Sequence, residues 1–258
     1  MKTVILCGGY GTRLSEETYN RPKPLIEIGD KPILWHIMKN YSSFGFNEFL
    51  LATGYKGEKI KEYFIKECFD LDEDLALIFN AKQMLPIRQH PNNWIADIID
   101  TGEGTMTGGR LYRLRDKLKG DQTFMLTYGD GVGDIDINKL IAYHKSRGKI
   151  ATITAVKPTA RFGEIQFKGE EVVSFKEKPN ISLGWINGGF FVFEKKIFDY
   201  ISGDEIMLEG EPLENLAKDG ELTAYKHDGF WKCMDTLRDK KELERLWTSG
   251  SSPWKVWK

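Results

Sequence analysis

Residues 6 to 14, LCGGYGTRL, run from an apolar stretch through Gly8, Gly9 and Gly11 into Thr12 and Arg13. The chemistry open to such a stretch is anion binding: without a Cβ to hold a ligand off, bare backbone N–H groups approach phosphate closely. Two standard phosphate loops are excluded by spelling. Gly9-Tyr10-Gly11-Thr12-Arg13-Leu14 has leucine where a dinucleotide fingerprint needs glycine or alanine, and no Gly-Lys-Ser/Thr follows. Pro22 and Pro24 keep a long helix from starting directly behind the glycines, so a helix dipole is a poor source of complementary charge. Side chains must supply more of it, and Arg13 and Lys23 are the candidates. The competing reading is a tight turn followed by a solvated arginine.

The elements that must hold this loop alternate in type. Val4 to Cys7 is a continuous apolar run, as in a strand covered on both faces, and it delivers the glycines to the carboxyl edge of a sheet, where ligands of open α/β folds bind. Ile33, Ile37 and Tyr41, beside Leu34, Met38 and Phe44 and behind Pro32, predict an amphipathic helix. Strands are expected at 48–53, 75–79, 124–128 and 150–156, and helices at 56–66, 107–118 and 137–147. This alternation predicts an α/β fold with a Rossmann-like, mostly parallel central sheet flanked by helices. After about residue 157 the texture changes: 164–178 reads as two short strands joined through Gly169, 185–193 as another, with helices near 195–201, 211–218 and 236–247. A smaller, more antiparallel part is expected there, within a single domain spanning 1–258. Residues 80–106 carry little periodicity, and a long loop of that kind suits function or an oligomer contact.

Composition bounds the partners. Hydrophobic residues are 41%, charged residues 29% and the formal net charge is −1, so no basic field points to nucleic acid. Cys7, Cys68 and Cys233 form no CxxC pair and, with four scattered histidines, no zinc pattern, which predicts reduced cytosolic thiols. The first apolar run is too short for a signal peptide and no stretch approaches the length of a membrane span, so a cytoplasmic protein without a membrane partner is expected. His36 lies in the apolar helix and is expected to pack rather than ligate, while His90, His144 and His227 lack metal spacing. Trp247, Trp254 and Trp257 are expected against a core or a neighbouring subunit.

One longer pattern goes beyond these readings. GYGTRLSEETYNRPKPLIEIGDKPIL resembles the signature of the sugar-1-phosphate nucleotidyltransferases, GxGTRL followed by a spacer, PKP and a GKPxL stretch. The resemblance continues in order through TYGDG (127–131), FKEKP (175–179), NGGFFVF (187–193) and FWKCMDT (230–236), while GTMTGGRL (104–111) looks like the cytidylyl-transferring branch. It implies that CTP and α-D-glucose 1-phosphate give CDP-glucose and pyrophosphate with Mg²⁺, feeding deoxysugar and surface-polysaccharide synthesis, in a homo-oligomer similar to the hexamers of that branch. UTP, dTTP or another sugar phosphate stays open, as does a non-catalytic nucleotide-binding subunit on the same fold or, less favoured by the failed fingerprint, a nicotinamide oxidoreductase.

By the same resemblance, Leu6, Cys7, Gly8, Gly9, Tyr10, Gly11, Thr12 and Arg13 wrap the nucleotide together with Lys23, Thr105, Arg110 and Gly129. The catalytic cations are Arg13 on the leaving pyrophosphate, Lys23 near the reacting phosphates and Lys178 on the sugar phosphate. Glu177, Lys178, Asn187, Gly188 and Gly189 take the sugar phosphate, and Asp130 and Asp235 the metal, two hard carboxylates that with phosphate oxygens and water suit Mg²⁺. Each has an ordinary alternative: Asp130 a turn residue, Asp235 a helix start, the Lys-Glu-Lys run a solvated strand end, Arg110 an exposed helix-start arginine. Cys7 stands where the family loop usually has alanine and is expected to act as a small hydrophobe.

Overall fold

The structure is a computed structural model that describes residues 1–68, 92–158, 164–176 and 184–257. Thr3–Leu6 (β1) leads into the glycine loop, a 3-10 turn over Thr12–Leu14 and a single helical turn, Ser15–Thr18 (α1). After a second 3-10 turn at Lys23–Leu25 come the small ribbon Glu27–Ile28 (β2) and Lys31–Pro32 (β3), the helix Ile33–Ser43 (α2), Glu48–Thr53 (β4) and Gly57–Cys68 (α3). Ile95–Asp100 (β5), Thr107–Arg113 (α4), Thr123–Tyr128 (β6), Gly131–Gly133 (β7), Ile137–Arg147 (α5) and Ala151–Val156 (β8) follow. The last part holds Glu164–Lys168 (β9), Glu171–Lys176 (β10), Ile186–Glu194 (β11), a 3-10 stretch at Lys195–Tyr200, Glu211–Lys218 (α6), Leu222–His227 (β12), Trp231–Cys233 (β13) and Leu237–Thr248 (α7).

Among the described residues seven strands make the central sheet, in the order β12-β8-β11-β6-β1-β4-β5. All neighbours are parallel except β11, which runs antiparallel to both β6 and β8. β1 is flanked by β4 on one side and β6 on the other, so the loop leaving its carboxyl end emerges where the winding of the sheet reverses. β1 is apolar throughout because both its faces are covered. Val4 and Leu6 pack with Leu111, Leu114 and Leu118 on one side, while Ile5 and Cys7 pack with Ile33, Ile37 and Met38 of α2 on the other. The mostly parallel, helix-flanked α/β sheet and the antiparallel β9–β10 pair stand as the sequence predicts.

Several details differ. Regular helix in the 107–118 region stops at Arg113, the 195–201 helix is 3-10, and α7 starts after Thr236, whose side chain caps it in a reciprocal pair with Asp239. Two sheet strands, β5 and β12, went unread, as did the short β7–β13 ribbon; the expected strand at 75–79 lies outside the described residues.

His36 packs, as its apolar helix predicts. It is fully buried, its Nε2 is 2.9 Å from the Ile28 carbonyl, Trp254 Nε1 donates to its Nδ1 at 3.4 Å, and the rings of Trp35 and Trp247 meet it edge-on. Burial pushes its pKa down to about 4, against the opposing pull of the Ile28 and Lys31 carbonyls. The folded state therefore binds fewer protons than the unfolded chain between the ordinary value of 6.5 and about 4. Stability is full above that window and falls across it as pH drops, by up to about 3 kcal/mol. Urea midpoints measured from pH 7 to pH 4 are expected to fall less steeply in His36→Gln than in the parent chain; parallel slopes would remove His36 as the source.

Candidate active site

The glycine loop walls one side of a cleft of about 400 Å³ bordered by Leu6, Cys7, Gly8, Gly9, Tyr10, Gly11, Thr12, Arg13, Lys23, Thr105, Arg110 and Gly129. These are the residues assigned to the nucleotide by resemblance, gathered from four separate segments. Among the described residues nothing beyond its chain neighbours lies within 4 Å of where a Gly9 side chain would begin, so that backbone faces the open cleft. Cys7 is buried behind the loop, and burial raises its thiol well above the ordinary range, so it behaves as an apolar filler.

A second cleft, of about 520 Å³, is bordered by Asn187, Gly188, Gly189, Ile186, Pro158, Trp231, Cys233 and Asp235, and shares Arg13, Tyr128 and Asp130 with the first. Asn187 and its glycines reach it at the start of β11, where Trp231 Nε1 donates to the Gly188 carbonyl at 2.7 Å. Glu177 and Lys178 lie outside the described residues.

Between the two clefts is a cluster of four charges. The Lys23 ammonium contacts Asp130 Oδ2 at 2.7 Å and Asp235 Oδ1 at 2.6 Å, and Arg13 donates to Asp235 Oδ2 at 2.9 Å. The β7–β13 ribbon makes this meeting possible: Cys233 pairs with Gly131, and the Met234 N–H donates to the Asp130 carbonyl at 2.8 Å, which brings positions 130 and 235 side by side. Burial works against the charge of Lys23, yet Asp130 and Asp235 outweigh it and hold the ammonium above its ordinary pKa. Burial likewise opposes Asp235, and Lys23 and then Arg13 hold its carboxyl below the usual range. Arg13 itself is 71% exposed, free to turn toward a ligand.

The donor set at this point is two carboxylates already converged on one cation, which is hard-oxygen chemistry of the kind Mg²⁺ takes. Among the described residues no group of three or more His, Cys, Asp or Glu forms a closed metal site. A metal held here would complete its shell with substrate oxygens and water.

Residues 2–236 match the family described as Nucleotidyl transferase. The chain belongs to the nucleotidyl transferase family. It is 49% identical to the glucose-1-phosphate cytidylyltransferase of Salmonella typhimurium over 257 residues, covering 100% of both chains, and equally similar over the same span to that of Salmonella typhi. A mannose-1-phosphate guanylyltransferase catalytic subunit beta from Dictyostelium discoideum is 29% identical over 93% of this chain and 62% of its own. Among solved structures, HddC from Yersinia pseudotuberculosis superposes with a TM-score of 0.70 at 24% identity (95% of this chain, 99% of that one), and a UDP-glucose pyrophosphorylase complexed with UDP-glucose with 0.69 at 17% (96% and 98%). At those identities the likeness is one of fold.

In this nucleotidyl transferase, Arg110 is not the exposed helix-start arginine that its sequence position allows. It is 4% exposed and lies behind the glycine loop. Its Nη1 donates to the Thr53 and Gly102 carbonyls and to Thr101 Oγ1, and its Nη2 to the Gly8 and Glu103 carbonyls, at 2.7–3.1 Å. A Cβ on Gly8 would stand 2.2 Å from the guanidinium carbon, so the glycine is there to admit the arginine. None of those five partners is a carboxylate, and burial lowers the Arg110 pKa. The guanidinium thus backs the loop through carbonyls and a hydroxyl, with the charge of Asp100 acting against the effect of burial.

The glycines of TGGRL have a similar explanation: a Cβ on Gly109 would lie 2.3 Å from the Asp204 carbonyl, because the 204–208 segment crosses directly over the start of α4. Sequence reasoning missed Tyr128, Trp231 and Glu209 around the clefts; the paired glycines at 108 and 109 were the available signal that a segment passes close by. Replacing Arg110 with alanine takes a donor from five acceptors, three of them in buried hydrogen bonds, and is expected to cost about 3 kcal/mol or more in urea unfolding, with Arg110→Lys recovering only part. An unchanged midpoint in Arg110→Ala would contradict the clamp.

Proposed function

We propose that this nucleotidyl transferase moves a cytidylyl group from CTP to α-D-glucose 1-phosphate, giving CDP-glucose and pyrophosphate. Full-length identity to enzymes named for that activity supports the substrates. The observation that carries the reading is geometric: two clefts, one walled by a glycine loop, share Arg13, Tyr128 and Asp130 and meet at a four-charge cluster. Two anions brought together in adjacent clefts need just such a boundary.

In the proposed step a phosphate oxygen of the sugar phosphate attacks the α-phosphorus of the triphosphate in line, one P–O bond forms, and the bond to pyrophosphate breaks with its electron pair leaving on oxygen. The protein supplies position and charge; no side-chain nucleophile is needed. The bare edge of Gly9 and the loop N–H groups receive the triphosphate, backed by Arg110. Arg13, exposed and carrying a planar fork, closes on the leaving pyrophosphate. Lys23 holds the reacting phosphates from the cluster floor. A divalent cation, Mg²⁺ by the hard-oxygen chemistry of Asp130 and Asp235, would be held by those two carboxylates and supply Lewis-acid charge to phosphate oxygens. Cluster arithmetic supports that need: two cations face two carboxylates, so the protein's own charges cancel where the substrates' negative charges must meet.

The reading of a non-catalytic binding subunit is disfavoured because Arg13, Lys23, Asp130 and Asp235 are all present and in mutual contact. Pyrophosphate release with glucose 1-phosphate and Mg²⁺ is expected to favour CTP over UTP and dTTP by at least about tenfold in kcat/KM. Turnover with UTP or dTTP and none with CTP overturns the base assignment. Asp130→Asn is expected to lower turnover on the order of a thousandfold with the circular-dichroism spectrum and unfolding midpoint near the parent's; full activity in that variant removes Asp130 from the reaction.

A further inference from the structure

A chain of hydrogen bonds ties the walls of the two clefts together through a residue that neither cleft contains. Glu209 Oε1 accepts from the Tyr128 hydroxyl at 2.5 Å, and its Oε2 accepts from Thr107 Oγ1 at 2.6 Å. Thr107 lines the loop-side cleft at the start of α4, and Tyr128 lines both clefts. The tyrosine oxygen in turn accepts from Asn187 Nδ2 at 3.2 Å, while Asn187 Oδ1 accepts from the Gly189 N–H at 2.8 Å. The ring of Tyr128 is fixed edge-on against Phe191, 5.7 Å between centroids.

Donor and acceptor bookkeeping makes this chain directional. A carboxylate can only accept, so Glu209 commits the single Tyr128 proton to itself, and burial together with the nearby Glu209 charge keeps that phenol protonated. The tyrosine oxygen is thereby left as an acceptor toward Asn187. A backbone N–H can only donate, so Gly189 claims the Asn187 oxygen. Both constraints select the same orientation of the Asn187 amide, and its second N–H becomes a donor in the β11-side cleft, matched to a hydroxyl oxygen.

We propose that Glu209 is a positioning residue which, through the Tyr128–Asn187 hydrogen bonds, fixes the donor face that the sugar-side cleft presents to a sugar hydroxyl. This rests on the reading of that cleft as the sugar-phosphate site. Glu209 touches neither substrate; it sets the polarity of the group that does.

The test is steady-state kinetics with glucose 1-phosphate and CTP varied in turn, beginning with the parent protein. If the parent forms no CDP-glucose, the functional reading fails before any variant is made. With an active parent, Glu209→Ala and Tyr128→Phe are each expected to raise KM for glucose 1-phosphate about tenfold, with KM for CTP changing less than about twofold. The double variant is expected to match Tyr128→Phe alone, because the effect of Glu209 passes through the hydroxyl. Glu209→Gln, which keeps an acceptor for Tyr128, is expected to recover most of the lost affinity. An unchanged sugar KM in Tyr128→Phe, equal rises in both KM values, or additive single effects would each overturn the proposal. Unfolding midpoints separate these outcomes from loss of fold: a variant that fails to fold is replaced by direct calorimetric binding of glucose 1-phosphate to Glu209→Gln and the parent, where a loss beyond tenfold also counts against it.

Discussion

The site depends on one ammonium held between two carboxylates. Lys23, Asp130 and Asp235 come from three segments that this contact draws to one point: a 3-10 turn after the glycine loop, the turn between β6 and β7, and the junction of β13 with α7. Lys23 and Asp235 are each 11% exposed, so both charges have left most of their water and depend on one another to stay ionised. Taking away Lys23 or Asp235 strands the other in a place with little water, at about 3–5 kcal/mol where this has been measured for buried pairs, whereas Asp130, 28% exposed, is the member whose charge can be removed while Lys23 keeps a partner.

Arg110 is the opposite device. Its donors meet backbone carbonyls and a hydroxyl rather than a carboxylate, and the charge of Asp100 acts on it without a hydrogen bond in the set. The site thus combines a neutral cluster at the junction of the clefts with a buried cation that braces the loop where the glycine backbone is bare.

What could be read from the sequence follows from where the determining physics is local. β1 carries its burial on both faces in its own spelling, and the loop after it advertises close approach through its glycines. The pairing of Asp130 with Asp235 is local to nothing: it depends on β7 and β13, three residues each, Gly-Val-Gly and Trp-Lys-Cys, too short for any period to show, and only the family likeness had put those two aspartates together. β5 and β12 escaped because they are the edges of the sheet, with residues such as Ile95 and Lys226 outward and no continuous apolar run. Glu209 sits in a segment without periodicity, made legible only by the two glycines it passes over.

β11 is the one reversed strand in the sheet, and the reversal means that it contributes its beginning to the ligand edge where every neighbour contributes an end. Its pairing with β8 shifts register between Asn187 and Phe191, just inside that edge, whereas its pairing with β6 runs unbroken from Phe190 to Glu194. The irregularity separates a fixed half of the strand, embedded in both cores, from a short lip that bears Asn187, Gly188 and Gly189. Insertions or exchanges in the lip can be absorbed at the irregularity without sliding the buried aromatics out of register. The fold therefore gives the second cleft a rim that can change in spelling while the aromatic core directly behind it keeps its register.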